Sequence, residues 1–263
     1  MRNYSWSMQT SRSKSVETPS AIGERYLRTL DALSRIDPVL NGWVIWEGKA
    51  TLDDLLAWAS AGSQEPAPIK AVPLEHARRG MTGLVETSVQ LNDWGEEQPD
   101  EGYNLVASNK YNGSPRNVDV SVTAGSEFDQ NWWSVNFGER GPGVIDPSLL
   151  TYPIMDGIFR TMTANWPTPW ARLQGVVVEY EDNPGIVGRT SVVTFRHDIT
   201  WMGYLSAALA PGFTPPADLI SERTANGGIL MLTGEERPDP ANTDQMRRSD
   251  LLTTIMDKYF PDT

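Results

Sequence analysis

Val118, Val120, Val122 and Ala124 alternate with Asp119, Ser121 and Thr123. Only an extended strand turns that period of two into one apolar face, so residues 118–124 predict a half-buried β-strand. The same pattern sets Tyr4, Trp6 and Met8 against Asn3, Ser5 and Ser7, and Trp133, Val135 and Phe137 against Ser134 and Asn136. Val85, Thr87, Val89 and Leu91 alternate with Glu86, Ser88, Gln90 and Asn92, which predicts a strand over 85–91. Further short strands are expected at Trp43–Trp46, Leu105–Lys110, Val176–Val178, Ser191–Phe195 and Ile229–Leu232. Short connections with turn signals such as Asn112-Gly113 join antiparallel neighbours, so a meander is expected.

Helical spacing is interleaved with these strands. Thr18 and Pro19 have the chemistry of an N-cap and a first helical position, and Ile22, Tyr26, Leu30 and Leu33 then recur on one face. Asp37-Pro38 closes that segment. Helices are also expected from Thr51 to about Ala59, from Pro153 to Ala164, and from Asn242 or Thr243 through the Leu251, Ile255 and Tyr259 stripe. Trp201–Leu209 starts as a strand and turns helical, Gly62–Pro73 reads as a surface loop, and Gly227-Gly228 as a turn with a positive φ. The order of elements predicts an α+β fold with a mainly antiparallel sheet and helices packed on one face. A single domain over residues 1–263 is expected, because the first strand and the last helix need the same core.

Charge narrows the partners. The chain of 263 residues carries Lys+Arg 22 against Asp+Glu 34, a net charge of −12. That balance argues against nucleic-acid binding and against attachment to anionic membranes, both of which need a basic stripe. Cys 0 excludes disulfides, thiolate metal sites and Cys nucleophiles together. No apolar secretory segment opens the sequence, so a cytoplasmic location is expected. Nucleophile elbow, Walker, dinucleotide and zincin motifs are absent, and the two histidines, His76 and His197, belong to none. No cofactor, metal or catalytic residue is expected. Two rival readings compete with a binding protein. One is an enzyme, either a metal-dependent nuclease whose spacing is met by Asp37 with Glu47-Gly48-Lys49, or an acidic hydrolase of another kind. The second is a non-enzymatic assembly adaptor.

The distribution of acid is more telling than its total. Glu86, Asp93, Glu96, Glu97, Asp100 and Glu101 fall between Gly80 and Asn109, where no Lys or Arg occurs. Five of them surround Trp94 in Asp93–Glu101, and Glu235, Glu236, Asp239 and Asp244, relieved only by Arg237, form a second cluster. Such runs are either solvated faces or docking loops for a basic partner, with Trp94 as an anchor. Most of the 10 tryptophans, among them Trp6, Trp43, Trp46, Trp133 and Trp201, sit at positions expected in the core.

Three segments, Trp201-Met-Gly-Tyr-Leu-Ser206, Pro215-Pro216-Ala217 and Asn226-Gly-Gly-Ile-Leu-Met-Leu-Thr233, resemble the C-terminal signature of the immunity protein 52 family. Trp6, Ile36-Asp37-Pro38 and Trp43 are similar to that family's start. The resemblance implies a bacterial antitoxin of a polymorphic toxin or type VI secretion effector–immunity pair. Its partner would be a nuclease toxin with a restriction-endonuclease-like domain and a basic surface. It brings no catalytic residues.

Overall fold

The computed structural model describes residues 2–10, 13–48, 69–92, 94–112, 114–128, 131–138, 145–182 and 191–259. Ten strands and five α-helices lie among them, and every ladder given below is antiparallel, so the fold is α+β as expected. The chain divides into two compact units, one of Arg12–Asn112 and Val118–Ser134, the other of Met1–Ser11, Gly113–Asn117 and Val135–Thr263.

In the first of these, helix α1 (Pro19–Ser34) starts as its sequence dictates. The Thr18 hydroxyl accepts from Ala21 N at 3.3 Å, Pro19 opens the first turn, and Ile22, Tyr26, Leu30 and Leu33 are buried. The ladder runs β3 (Lys70–Pro73), β2 (Val44–Glu47), β4 (Tyr103–Ser108), β5 (Val118–Ala124). The Tyr26 hydroxyl donates to Val120 O at 3.0 Å and ties α1 to β5. Burial first, and then the nearby Asp119 carboxylate, push that phenol well above its ordinary pKa. Two indoles of this unit find partners: Trp43 Nε1 donates to Ser34 Oγ at 3.1 Å and Trp46 Nε1 to Ser108 Oγ at 2.8 Å. Ser108 in turn donates to the buried Asp119 at 2.5 Å. Trp43 and Trp133 are core residues, whereas Trp46 is only half-buried.

The expected strand over 85–91 is not formed. A short helix α2 (Leu74–Ala77) is followed by α3 (Met81–Glu86), and only Val89 and Leu91 make isolated bridges, to Tyr103 and Glu97. Met81, Leu84 and Val85 are buried at helical spacing, which outweighs the alternation beyond them. A Cβ on Gly23 would lie 2.9 Å from Met81 Cγ, so glycine there lets α1 and α3 approach. The expected loop over 62–73 also ends in structure, because Lys70–Pro73 pairs with β2. Pro73 sits where an edge strand tolerates a missing donor. The expected helix over 51–59 lies outside the described residues.

The other unit carries β1 (Arg2–Thr10), β7 (Trp170–Asp182), β8 (Ser191–Leu205), β10 (Ile229–Leu232) and β9 (Ile220–Arg223), paired in that order. Strand β6 (Trp132–Phe137) contributes residues to both units. Trp6 is buried and meets Trp201 edge to face at 5.8 Å and 73°. Helix α4 (Tyr152–Asn165) buries Ile154, Met155, Ile158, Phe159 and Met162. Helix α5 (Thr243–Asp257) is capped by Asn242, whose Oδ1 accepts from Asp244 N at 3.1 Å and Gln245 N at 3.2 Å. Its Leu252, Ile255 and Met256 complete a core cluster with Trp170, Leu205 and Met231. β8 ends at Leu205 and the chain continues in turns, not a helix. The β9–β10 turn holds Gly227 at φ 83°, as its glycine pair predicts.

Candidate partner-binding surface

The acidic loop is built from backbone outward. Gln90 N donates to Gly102 O at 3.0 Å and Gln98 N to Gln90 O at 2.8 Å, which closes the base of the loop. Toward the tip, Asn92 N donates to Glu96 O and Gly95 N to Asn92 O, both at 2.9 Å. The Asn92 side chain then fixes the tip from within. Its Oδ1 accepts from Trp94 N at 3.0 Å and Glu96 N at 2.9 Å, and its Nδ2 donates to Glu96 Oε2 at 2.8 Å. An asparagine side chain that mimics a backbone turn in this way is the local device that makes Asx turns. Gly95, at φ 79°, supplies the left-handed residue that the tip requires.

Trp94 projects from this tip and is 84% exposed. Glu96, Glu97 and Asp100 are exposed and Glu101 is half-buried, so four of the expected acidic residues share one loop with the indole. Asp93 lies outside the described residues. Gly102, at φ 88°, ends the segment so tightly that a Cβ there would stand 2.5 Å from Ala124 O.

The second expected cluster belongs to the other unit. Glu235, Glu236 and Asp239 are exposed on the connection from β10 to α5. Asp239 N donates to Gln245 Oε1 at 2.7 Å and Gln245 Nε2 donates to Glu236 Oε2 at 3.3 Å. Glu236 and Asp239 line an open depression of about 500 Å³ with Pro147, Leu150, Arg237, Asn242 and Gln245.

The residues of the nuclease reading have other engagements. Asp37 caps a 3₁₀ turn over Pro38–Leu40, its Oδ1 accepting from Val39 N at 2.8 Å. Glu47 pairs with Lys70 at 2.9 Å, and Lys49 lies outside the described residues. Among the described residues no group of three His, Asp or Glu is placed to hold a metal ion. His76 is exposed on α2.

No family model matches the chain, and no curated protein does. A T6SS protein of Pseudomonas aeruginosa is a structural neighbour. It is 11% identical, with a TM-score of 0.48, over 97% of this chain and 75% of that one. The resemblance to the immunity protein 52 family therefore rests on the quoted motifs, and the structure gives those motifs scaffold work. Met231 faces Gly203 across the β8–β10 ladder, Thr233 N donates to Trp201 O at 3.1 Å, and Asn226 Nδ2 donates to the Tyr204 hydroxyl at 3.0 Å. A Cβ on Gly203 would stand 2.7 Å from Met256 Sδ, so glycine there lets α5 lie close against β8.

One residue that matters to the surface carries no sequence signal. Asn131 is buried and its side chain joins Ser126 to the segment of Ser13 and Ser15. Its Oδ1 accepts from Ser126 N at 2.9 Å, and its Nδ2 donates to Ser13 O at 2.8 Å, Ser126 O at 3.3 Å and Ser15 O at 3.4 Å. The partners lie up to 118 positions away, beyond the reach of any local pattern. Among the described residues no helix is long and apolar enough to cross a membrane.

Proposed function

We propose that this chain is an immunity protein that binds a cognate nuclease toxin and silences it, acting in the cytosol where such a toxin cuts. The observation that carries the reading is Trp94, 84% exposed at the tip of a hydrogen-bonded loop whose neighbouring charges are all acidic among the described residues. Leaving so large an apolar side chain in water is unfavourable for an isolated protein, and tryptophan is the residue type most enriched among interface anchors. A pre-formed tip also spares a partner the ordering entropy of the loop.

The charge suits the reading. A nuclease grips a polyanion with a basic cleft, and carboxylates that compete for that cleft accelerate encounter and disfavour acidic competitors. Occlusion of the cleft and binding beside it both satisfy the reading. The test is co-expression with the products of the neighbouring genes, followed by co-purification and a DNA-cleavage assay with Mg²⁺ on any partner captured. A stable complex with suppressed cleavage is expected. Independent elution of the two proteins with full cleavage, or metal-dependent cleavage by this chain alone, would overturn it.

A further inference from the structure

Four large apolar side chains are exposed among the described residues: Val16 at 64%, Trp94 at 84%, Phe128 at 52% and Ile220 at 50%. The first three sit on segments that hydrogen-bond to one another. Ser15 N donates to Ser126 O at 3.4 Å, and Asn131 links Ser13 and Ser15 to Ser126. Glu127 N donates to Asp100 O at 2.8 Å, and Ser126 Oγ donates to the same oxygen at 3.2 Å. The segments 13–16, 126–128 with Asn131, and 94–101 are thus stitched together within a single compact unit. Phe128 N donates to Ser126 Oγ at 3.0 Å, so its position is fixed by the same knot.

Scattered single apolar residues on a surface need no explanation, but three on one stitched platform do. From this convergence we infer that Val16, Trp94 and Phe128 form an apolar docking platform for a protein surface with an apolar centre and an arginine rim. The rim follows from charge. Glu96, Glu97, Asp100, Glu101 and Glu127 share these segments, Lys14 is the one cation of segment 13–16, and the platform belongs to a chain of net charge −12. Arginine is favoured over lysine because its planar guanidinium pairs with carboxylates in bidentate fashion and stacks on exposed rings. The inference rests on the immunity reading for its partner class, but it names the surface by residues that the acidic loop alone does not include.

The full chain, labelled with 5-fluorotryptophan, tests it by ¹⁹F NMR, with the Trp94 resonance assigned by its loss in Trp94→Phe. Two eight-residue peptides serve as probes, one of alternating arginine and leucine and one of alternating arginine and serine. The leucine peptide is expected to move the Trp94 resonance and to bind about tenfold more tightly than the serine peptide. Val16→Ser and Phe128→Ser, both at exposed positions that leave folding intact, should each remove much of that difference. Ile220→Ser, in the other unit, should not. An unmoved Trp94 resonance, equal affinity for the two peptides, or unchanged affinity in both serine variants overturns the platform. The same variants in the co-expressed pair separate the two claims. Full protection by a Val16→Ser, Trp94→Ser, Phe128→Ser chain sinks the platform and keeps the immunity reading. Platform binding without any toxin complex does the reverse.

Discussion

Replacing Asn131 by alanine should loosen the part of the unit that carries Trp94, and the size of the effect follows from its bonds. Ser13 O keeps a partner in the variant, because Asn131 N also donates to it at 2.9 Å. Ser126 N does not, since its acceptor is the lost Oδ1, and Ser126 is buried. A buried N–H without a partner costs about 1–3 kcal/mol, and the lost donor bond to Ser13 O about 1 kcal/mol more. The sum is about 2–4 kcal/mol. Urea unfolding should show it as a lower midpoint at unchanged slope. Amide exchange at Ser126, if it proceeds through the same opening, should accelerate about 30- to 900-fold. Asn131→Asp sharpens the test. It retains the acceptor for Ser126 N but sets a carboxylate oxygen against the carbonyls of Ser13, Ser15 and Ser126. The folded state then favours the protonated acid, so that carboxyl has a raised folded pKa and the folded chain binds more protons than the unfolded one. Its deficit should be largest at neutral pH and shrink as the pH falls toward about 4. A loss below about 0.5 kcal/mol for alanine with unchanged exchange at Ser126 would refute the reasoning, as would a pH-independent deficit for aspartate.

Neutralising Glu96, Glu97, Asp100 and Glu101 to Gln or Asn should slow association with the proposed toxin partner and flatten its salt dependence, whereas Trp94→Ala should raise the dissociation rate; unchanged kinetics at two ionic strengths would make the loop a solvated face. Gly228→Val should destabilise more than Gly227→Val in thermal unfolding, because a Cβ at 228 meets Leu205 O at 2.6 Å while that at 227 meets Ala207 Cβ at 3.3 Å, with φ 83° as its main strain; the opposite order would contradict the packing. Arg116 Nε, at 2.5 Å, and Ser148 N hold the Asp146 carboxyl down to about 2. A depressed folded pKa gives stability present above the unfolded carboxyl range and lost as pH falls through about 2, so a ¹³C titration of Asp146 should move upward in Arg116→Ala; an unmoved midpoint would dismiss the pair.

Elements whose period is carried by large apolar residues can be read from the chain alone. α1, β5 and α5 follow their stripes, and the caps Thr18 and Asn242 mark two helix starts. Val85–Leu91 misleads because four alternating residues fit a strand as well as they fit the end of a helix, and the deciding contact, Met81 against Gly23, spans about 60 positions. β9 is silent in the sequence for a different reason: all four of its residues are exposed, so no apolar face announces it. The candidate surface divides in the same way. Acid around Trp94 is a local pattern and is legible, but Val16 and Phe128 join it through Asn131 and through the Ser126 and Asp100 carbonyls. Hydrogen bonds to backbone carbonyls leave no residue-type signature, since any sequence supplies the acceptor.

The acidic loop keeps its shape with one set of residues and meets the solvent with another. Asn92, Gly95 and Gly102 hold the backbone from inside the loop, Asn131 stitches it to its neighbours through Ser126, and the outward side chains Trp94, Glu96, Glu97 and Asp100 leave most of that bonding to the main chain. Substitutions at the outward positions can therefore accumulate at little cost to folding, and each changes what the tip recognises. A lineage that must follow a changing adversary gains from such a division, because specificity can drift quickly on a frame that stays still. The same division offers a protein engineer a short set of positions to randomise and four to leave alone.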